Sequence, residues 1–272
     1  MLNLLSPALF TNHRGQSKAD APSSRIWSRI KGELVSPDGT DAAKGIVSNF
    51  QGGGLNATNT TQVSEGWAGY SDSSCSTASQ ADGSGLRLSV TGTNAEANVI
   101  SGAGSGGIGQ LSLDKTVAFE CVVKLAPAST ADFSLLAGVI EPASGGNNAI
   151  VDSTGLPKAS TDFVGFYVKK DNVIRFGYVN GSGTISDVTG IAKTIVSGTS
   201  YKLGFLIDSN SKDEILKVFV DGVQVGQKSK ADLLADAEWP DDTNFAAIVA
   251  AKSIAGSADT ADVKFAHCVQ VS

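Results

Sequence analysis

Between two apolar, β-branched runs the chain places a bare Asp221-Gly222, within the stretch EILKVFVDGVQVGQK at 214–228. A two-residue loop of this kind demands φ > 0 at both positions and forms a type I′ turn whose twist suits the flanking strands. The predicted register sets Val220 opposite Val223 and Val218 opposite Val225, with Leu216, Val218, Val220, Val223 and Val225 on one face. Lys217, Phe219 and Gln224 fall on the other. A one-residue slip would put the valines in water, so this part of the chain is committed to a sheet that covers a core.

The same signal recurs. TVAFECVVKL (116–125) alternates, with Val117, Phe119, Cys121, Val123 and Leu125 on one face and Glu120 and Lys124 on the other. FSLLAGVIE, DFVGFYVKK, VIRFGYVNG, YKLGFLIDS, FAAIVAAKS and DVKFAHCVQV follow, bounded by turn residues. Eight or nine strands at such spacing predict an all-β sandwich or barrel. Glycine at 31 of 272 residues and a charged fraction of only 18% agree with a turn-rich sheet protein. Weaker strands are expected in GIVSNF, EGWAGYS, GLRLSVTG and ANVISG between 46 and 110. One helix is expected in SKADLLADAE (229–238), capped by Ser229 or Asp232 and stopped before Pro240.

Residues 1–45 read as an extended N-terminal arm and 46–272 as the sandwich domain. The arm is broken by Pro7, Pro22 and Pro37 and is locally basic through Arg14, Lys18, Arg25, Arg29, Lys31 and Lys44. Its apolar side chains include Leu4, Leu5 and Phe10, and the patch SSRIWSRIKGEL adds Ile26, Trp27 and Ile30. A segment this short and polar does not fold alone, so these anchors need a cover. Two covers are open: another protein, or the chain's own domain.

A net charge of −6 with no basic face argues against nucleic acid as a partner. No apolar stretch approaches the roughly 18 residues of a membrane span, and MLNLLSPALFTNHRG lacks the basic n-region of a signal peptide. Cys75, Cys121 and Cys268 have no metal spacing, and their odd number fits reduced thiols in a protein made in a cytoplasm. The sequons at Asn56, Asn59 and Asn180 are expected to stay unmodified. SGAGSGGIGQ (101–110) has the glycines of a phosphate-cradling loop but neither its Lys nor the following helix, so it is expected to be a plain loop and no cofactor is expected.

A glycosidase needs two carboxylates about 5–10 Å apart, which on one strand would appear at i, i+2 or i+4. No strand carries such a set. Asp236, Glu238, Asp241 and Asp242 cluster beside Pro240 as a solvated acidic turn, and with Asp208 and Asp213 they lack the spacing of a calcium loop. Neither histidine can be placed in a nucleophile–base set: His13 lies in the arm, and His267 alternates with Phe265 and Val269 as a half-core residue. The sequence thus predicts no catalytic, cofactor or metal residues and a protein that is not an enzyme. Sugar contact through exposed aromatics is the alternative, with Trp67, Tyr70 and Trp239 as its candidates and Tyr178 also available.

The run DFVGFYV…NVIRFGYVNGSG…TSYKLGFLID…LKVFVDGVQVG resembles the back half of a concanavalin-A-like (laminin-G-like) jelly roll, in which a Tyr-x-Leu strand precedes a VDGxxV hairpin. More narrowly, TVAFECVVKL followed by FSLLAGVIE, then DFVGFYV, then the closing DTADVKFAHCVQVS, resembles a group of tailed-phage virion proteins. The resemblance covers about residues 110–272 and is one of pattern. It implies a virion structural protein, a decoration or minor capsid protein on the capsid surface, synthesised in the host cytoplasm. Its expected partner is the major shell protein, and it is expected to be a homo-oligomer, a dimer or trimer. Docking falls to Leu4, Leu5, Phe10, Ile26, Trp27 and Ile30; the alternative is a lectin-like module binding glycans on a virion surface or tail fibre. Neither nucleic acid nor a membrane is expected as a partner.

Overall fold

The computed structural model describes residues 43–48, 56–57, 61–64, 67–80, 85–101, 111–128, 132–141, 149–151, 154–158, 161–182, 184–240 and 244–271. Leu4, Leu5, Phe10, His13, Ile26, Trp27, Ile30, the loop at 102–110, and Asp241 and Asp242 lie outside them. In chain order the strands are β1 (Ala43–Ser48), β2 (Asn56–Ala57), β3 (Thr61–Ser64), β4 (Trp67–Ser71), β5 (Cys75–Ser79), β6 (Leu86–Val90), β7 (Ala95–Ser101), β8 (Thr116–Ala126) and β9 (Phe133–Ile140). There follow β10 (Asp162–Val168), β11 (Val173–Asn180), β12 (Ser186–Asp187), β13 (Lys193–Thr194), β14 (Thr199–Ile207), β15 (Glu214–Val220), β16 (Val223–Ser229), the helix α1 (Lys230–Ala235), β17 (Ala246–Ser253) and β18 (Asp259–Val271).

They form two antiparallel sheets. Sheet A runs β16-β15-β14-β8-β18-β6-β5-β2, with β1 also on β18; sheet B runs β12-β11-β10-β9-β17-β7-β4-β3, with β13 also on β11. The long strand β18 serves three partners: from Thr260 onward it borders β8, its first part pairs with β6 and its last with β1. A register shift between Val263 and Phe265 separates the two parts. The alternation read in β8 is realised, with Val117, Phe119, Cys121, Val123 and Leu125 buried in the core between the sheets. Four phenylalanine rings cross that core as a spine. Phe119 stacks on Phe205 at 5.5 Å, Phe205 meets Phe176 edge-on at 5.4 Å, and Phe176 meets Phe166 at 5.0 Å. Such pairs add about 0.5–1.5 kcal/mol each beyond their area, and this set ties β8 and β14 of one sheet to β11 and β10 of the other.

The opening hairpin forms as β15–β16. Asp221 (φ 52°) and Gly222 (φ 78°) both occupy the left-handed region, and Val220 pairs with Val223. Beyond that the register departs from expectation. Phe219 pairs with Gln224 but Val218 with Gly226, so Val225 is an extra, bulged residue and does not face Val218. Leu216, Val218 and Val220 fill the core, Val225 is half-buried and Val223 is 58% exposed. The bulge sits on an edge strand, where such irregularities blunt sheet-to-sheet pairing.

The helix is shorter than expected and begins after Ser229, whose side chain accepts from the Asp232 backbone N–H and so settles the cap. Leu233 reaches the core. All three thiols are free and buried; burial pushes Cys75 up to about 11, and holds Cys121 and Cys268 higher still. Cys268 lies in the core with Ala266, because the shift near Phe265 changes which residues of β18 face inward. No helix among the described residues is long and apolar enough to cross a membrane.

Candidate functional site

The face of sheet B that points away from the core carries a second apolar cluster, in which Ile100, Leu136, Phe163, Tyr167 and Ile248 pack with Ala149 and Ile150 of a short hairpin. That hairpin, described at 149–151 and 154–158, is closed by the Ile150–Pro157 bridge and by the Lys158 N–H donating to Ala149 O at 2.9 Å. Gly155 has φ +72°, and a Cβ there would come within 2.2 Å of Ser134 Oγ, so the hairpin rests directly on β9.

Beneath it sits a charged centre. Glu96 on β7 and Lys252 on β17 are register partners, and their side chains are 1% and 0% exposed as residues. The carboxylate accepts from the backbone N–H of Ala149 at 3.0 Å, that of Ile150 at 3.1 Å and Asn98 Nδ2 at 3.0 Å. Lys252 Nζ lies 3.7 Å from Glu96 Oε2 and donates to Ile150 O at 2.8 Å. Burial raises the Glu96 carboxyl above the ordinary range, against the pull of Asn98, the two backbone donors and Lys252. Chemically this is a clamp: both carboxylate oxygens and the ammonium hold the hairpin backbone on the sheet.

Other polar groups on this sheet also pair, one across strands and one within a turn. Tyr167 on β10 donates to Asp187 on β12, and Arg175 on β11 pairs with Asp171 at 2.7 Å. At one end, Asp236 accepts from Tyr178 Oη at 2.7 Å, Ser186 Oγ at 2.9 Å and the Glu238 N–H at 3.1 Å. Burial works against ionisation there, but these donors hold the Asp236 carboxyl below its ordinary range. Trp239 lies edge-on to Tyr178 at 5.1 Å. On sheet A a surface groove of about 350 Å³ separates loop 190–193 from the hairpin tip, with the Lys193–Asp221 pair (2.5 Å) across an otherwise apolar lining.

The sugar candidates do not come together. Trp67 faces inward from β4 and is 1% exposed, so it fills the core and offers no stacking face. Tyr70 is half-buried on the outer face of sheet B, while Trp239 is half-buried against the core cluster beside β11. Five strand spacings separate β4 from β11, or about 24 Å. Asn180, one of the sequon residues, donates its side-chain amide to Ala237 O. The Glu96–Lys252 centre went unread in the sequence. Its signal was a charge at an outward position in strands whose other outward residues are mostly apolar: Glu96 with Ile100, Lys252 with Ile248 and Ala250. Among the described residues no three His, Cys, Asp or Glu side chains are grouped to hold a metal ion.

No protein-family model matches the sequence, and no curated protein matches it. Solved structures do match the fold. A Shewanella oneidensis MR-1 protein of unknown function, SO2946, is 12% identical over 96% of this chain and 97% of its own, with a TM-score of 0.54. The carbohydrate recognition domain of Emp47p is 14% identical over 83% of this chain and 97% of its own, at 0.51. An endo-1,3-β-glucanase from Streptomyces sioyaensis is 11% identical over 88% of this chain and all of its own, at 0.50. The last of these corrects one expectation. The fold is one on which enzymes are built, so the prediction that this chain is not an enzyme fails. Its premise was too narrow: it considered only two carboxylates on one strand, whereas polar groups of sheet B also meet across strands, as Glu96 with Lys252 and Tyr167 with Asp187. At these identities the likeness is one of fold, and that fold is the concanavalin-A-like jelly-roll β-sandwich.

Proposed function

We propose that this chain is a virion structural protein, a decoration or minor capsid protein that attaches to the major shell protein of a tailed phage. The observation that carries the reading is β1. Ala43–Ser48 joins β18 in unbroken register from Ala43 opposite Val271 to Ser48 opposite Ala266, which fixes where residues 1–42 connect to the body. A locally basic segment with Leu4, Leu5 and Phe10 is thereby tethered to an acidic sandwich, an arrangement suited to docking on a large assembly. The carboxylates of the body tie its parts together: Glu96 holds a hairpin, Asp236 holds the end of β11, and Asp262 joins Arg87 at 2.6 Å and Gln80 at 2.8 Å. Such cross-links make a rigid body fit for a surface role. Association as a dimer or trimer around a shell axis is part of the proposal, as is a location on the capsid exterior. Quantitative mass spectrometry of purified particles tests it: a copy number near that of the shell protein supports decoration, and absence from particles overturns the reading.

A second reading has its own observation. Trp239 is half-buried on Tyr178 beside Asp236, Ser186 and Glu238, an aromatic platform next to polar groups of the kind sugars stack on. Likeness in fold to the carbohydrate recognition domain of Emp47p accompanies it. A glycan array supports this lectin-like reading if hits appear and vanish in Trp239→Ala, and an array without hits rejects it.

A further inference from the structure

The face of sheet A that points away from sheet B carries Ala118, Val122, Leu206, Phe219, Phe265 and Val269, with Glu120 and His267 opposite each other in register among them. None of these eight residues is more than 4% exposed. Yet no described strand or helix lies over them. β8, β14 and β18 contact their neighbours within sheet A and, through the core, β9 and β17. Six apolar side chains and a carboxylate do not lose their water unless something displaces it. The burial is that of a single chain, so the cover comes from the same chain.

We propose that residues 23–34, SSRIWSRIKGEL, form this cover, with Ile26, Trp27 and Ile30 seated on the outer face of sheet A. Three observations favour this segment. The first is position: Ala43 pairs with Val271, whose partner on its other side is Thr116, so the chain enters β1 at one end of this very face. The eight residues 35–42 reach up to about 26 Å when extended, more than the roughly 20 Å covered by six residues of β18. The second is apolar content, since 23–34 offers a tryptophan and two isoleucines, whereas 49–55, NFQGGGL, offers one phenylalanine and one leucine among three glycines. The third is charge. Arg25, Arg29 and Lys31 make the segment basic, and the face it would cover holds Glu120 at 1% exposure; a buried carboxylate is stabilised by cations and hydrogen-bond donors brought against it.

This inference does not rest on the virion reading. It narrows that reading, because Ile26, Trp27 and Ile30 then belong to the body, and shell docking is left to Leu4, Leu5 and Phe10.

The test uses the full chain with p-benzoylphenylalanine in place of Trp27, irradiated at low protein concentration and mapped by peptide mass spectrometry. Intramolecular cross-links to peptides of β8, β14 or β18 are expected. Cross-links confined to other parts of the chain or to a second copy, or none at all, overturn the proposal. A second measurement guards against a misplaced label. In the full chain, Trp27→Ala should lower Tm by several degrees and raise the fluorescence of a hydrophobic dye several-fold, while Leu4→Ala changes neither. Equal values for both variants overturn the proposal as well. A protein that gives these cross-links but is absent from particles loses the virion reading and keeps this one.

Discussion

The two sheets each have an outward face, and the sandwich closes them by opposite means. On sheet B the cover is the hairpin described at 149–151 and 154–158, and the contact is polar at its heart: Glu96 and Lys252 bind backbone groups of Ala149 and Ile150. On sheet A the face is mostly apolar, with Phe219 and Phe265 as its largest members and the Glu120–His267 register pair among them. The difference is one of specificity against bulk. Hydrophobic cover is non-directional and scales with area, so most of the sheet A face asks for bulk and Glu120 alone adds a preference of charge. A buried carboxylate with fixed donors accepts one arrangement only, because each unmade bond leaves a desolvated group. Sheet B therefore specifies its hairpin to the residue, and sheet A asks for an apolar cover with a basic side.

Replacing one partner of the clamp should break that contrast most severely. Glu96→Ala leaves the Lys252 ammonium buried without its carboxylate and should cost about 4 kcal/mol in urea denaturation. The double replacement Glu96→Leu with Lys252→Met should recover only part of that loss: it removes both charges together, but leaves the Ala149 and Ile150 backbone groups without their partners. A single variant within about 1 kcal/mol of the parent would mean that the charges do not hold the hairpin. On the other side, Phe265→Ala should cost about 3 kcal/mol by cavity formation, without the rescue by a second substitution that the clamp allows.

Smaller effects sharpen the picture. Gly165 and Gly138 face each other across β10 and β9, and a Cβ on Gly165 would lie 2.6 Å from Ala137 O and 2.7 Å from Gly138 Cα. Gly165→Ala should therefore lose about 2 kcal/mol through overpacking, read as a fall in Tm.

Acidity separates two carboxylates by sign. The folded pKa of Glu96 is raised, so its contribution is present below the unfolded value of about 4.3 and is lost as pH rises through the folded one. That of Asp236 is lowered, so its contribution is present above the unfolded value of about 3.9 and is lost as pH falls through the folded one. Stability measured against pH should lose its alkaline-going decline in Glu96→Gln and part of its acid-going decline in Asp236→Asn. Profiles that match the parent's in both variants would show that neither group is linked to folding.

What could be read from the sequence was local. The Asp221-Gly222 turn, the inward set of β8 and the Ser229 cap each depend on residues within a few positions of one another. Where a feature depended on residues far apart, reading stopped. The bulge at Val225 belongs to an edge strand packed on Val188 and Ile191, which leave no room for a Cβ at Gly226. Glu96 meets Ile150 across 54 positions and Lys252 across a further register pairing, so no window of sequence contains the clamp. Trp67 and Trp239 look alike as letters, and only their places in sheet B and beside Tyr178 tell the core residue from the half-exposed one.

β18 gives the molecule a timetable. The strand lies inside sheet A, bordered by β8 from Thr260 onward and by β6 and β1 along its two parts. None of these ladders can form until residues 259–271 have emerged from the ribosome, because β18 is one strand of each, and at about 5–20 residues per second the wait after β8 lasts several seconds or more. For that interval β8 and β14 can pair with each other while one edge of β8 stays bare. The nascent chain therefore passes through a state with an open, apolar sheet edge, and a ribosome stalled short of residue 259 would hold it there as a substrate for chaperones or for its own neighbours.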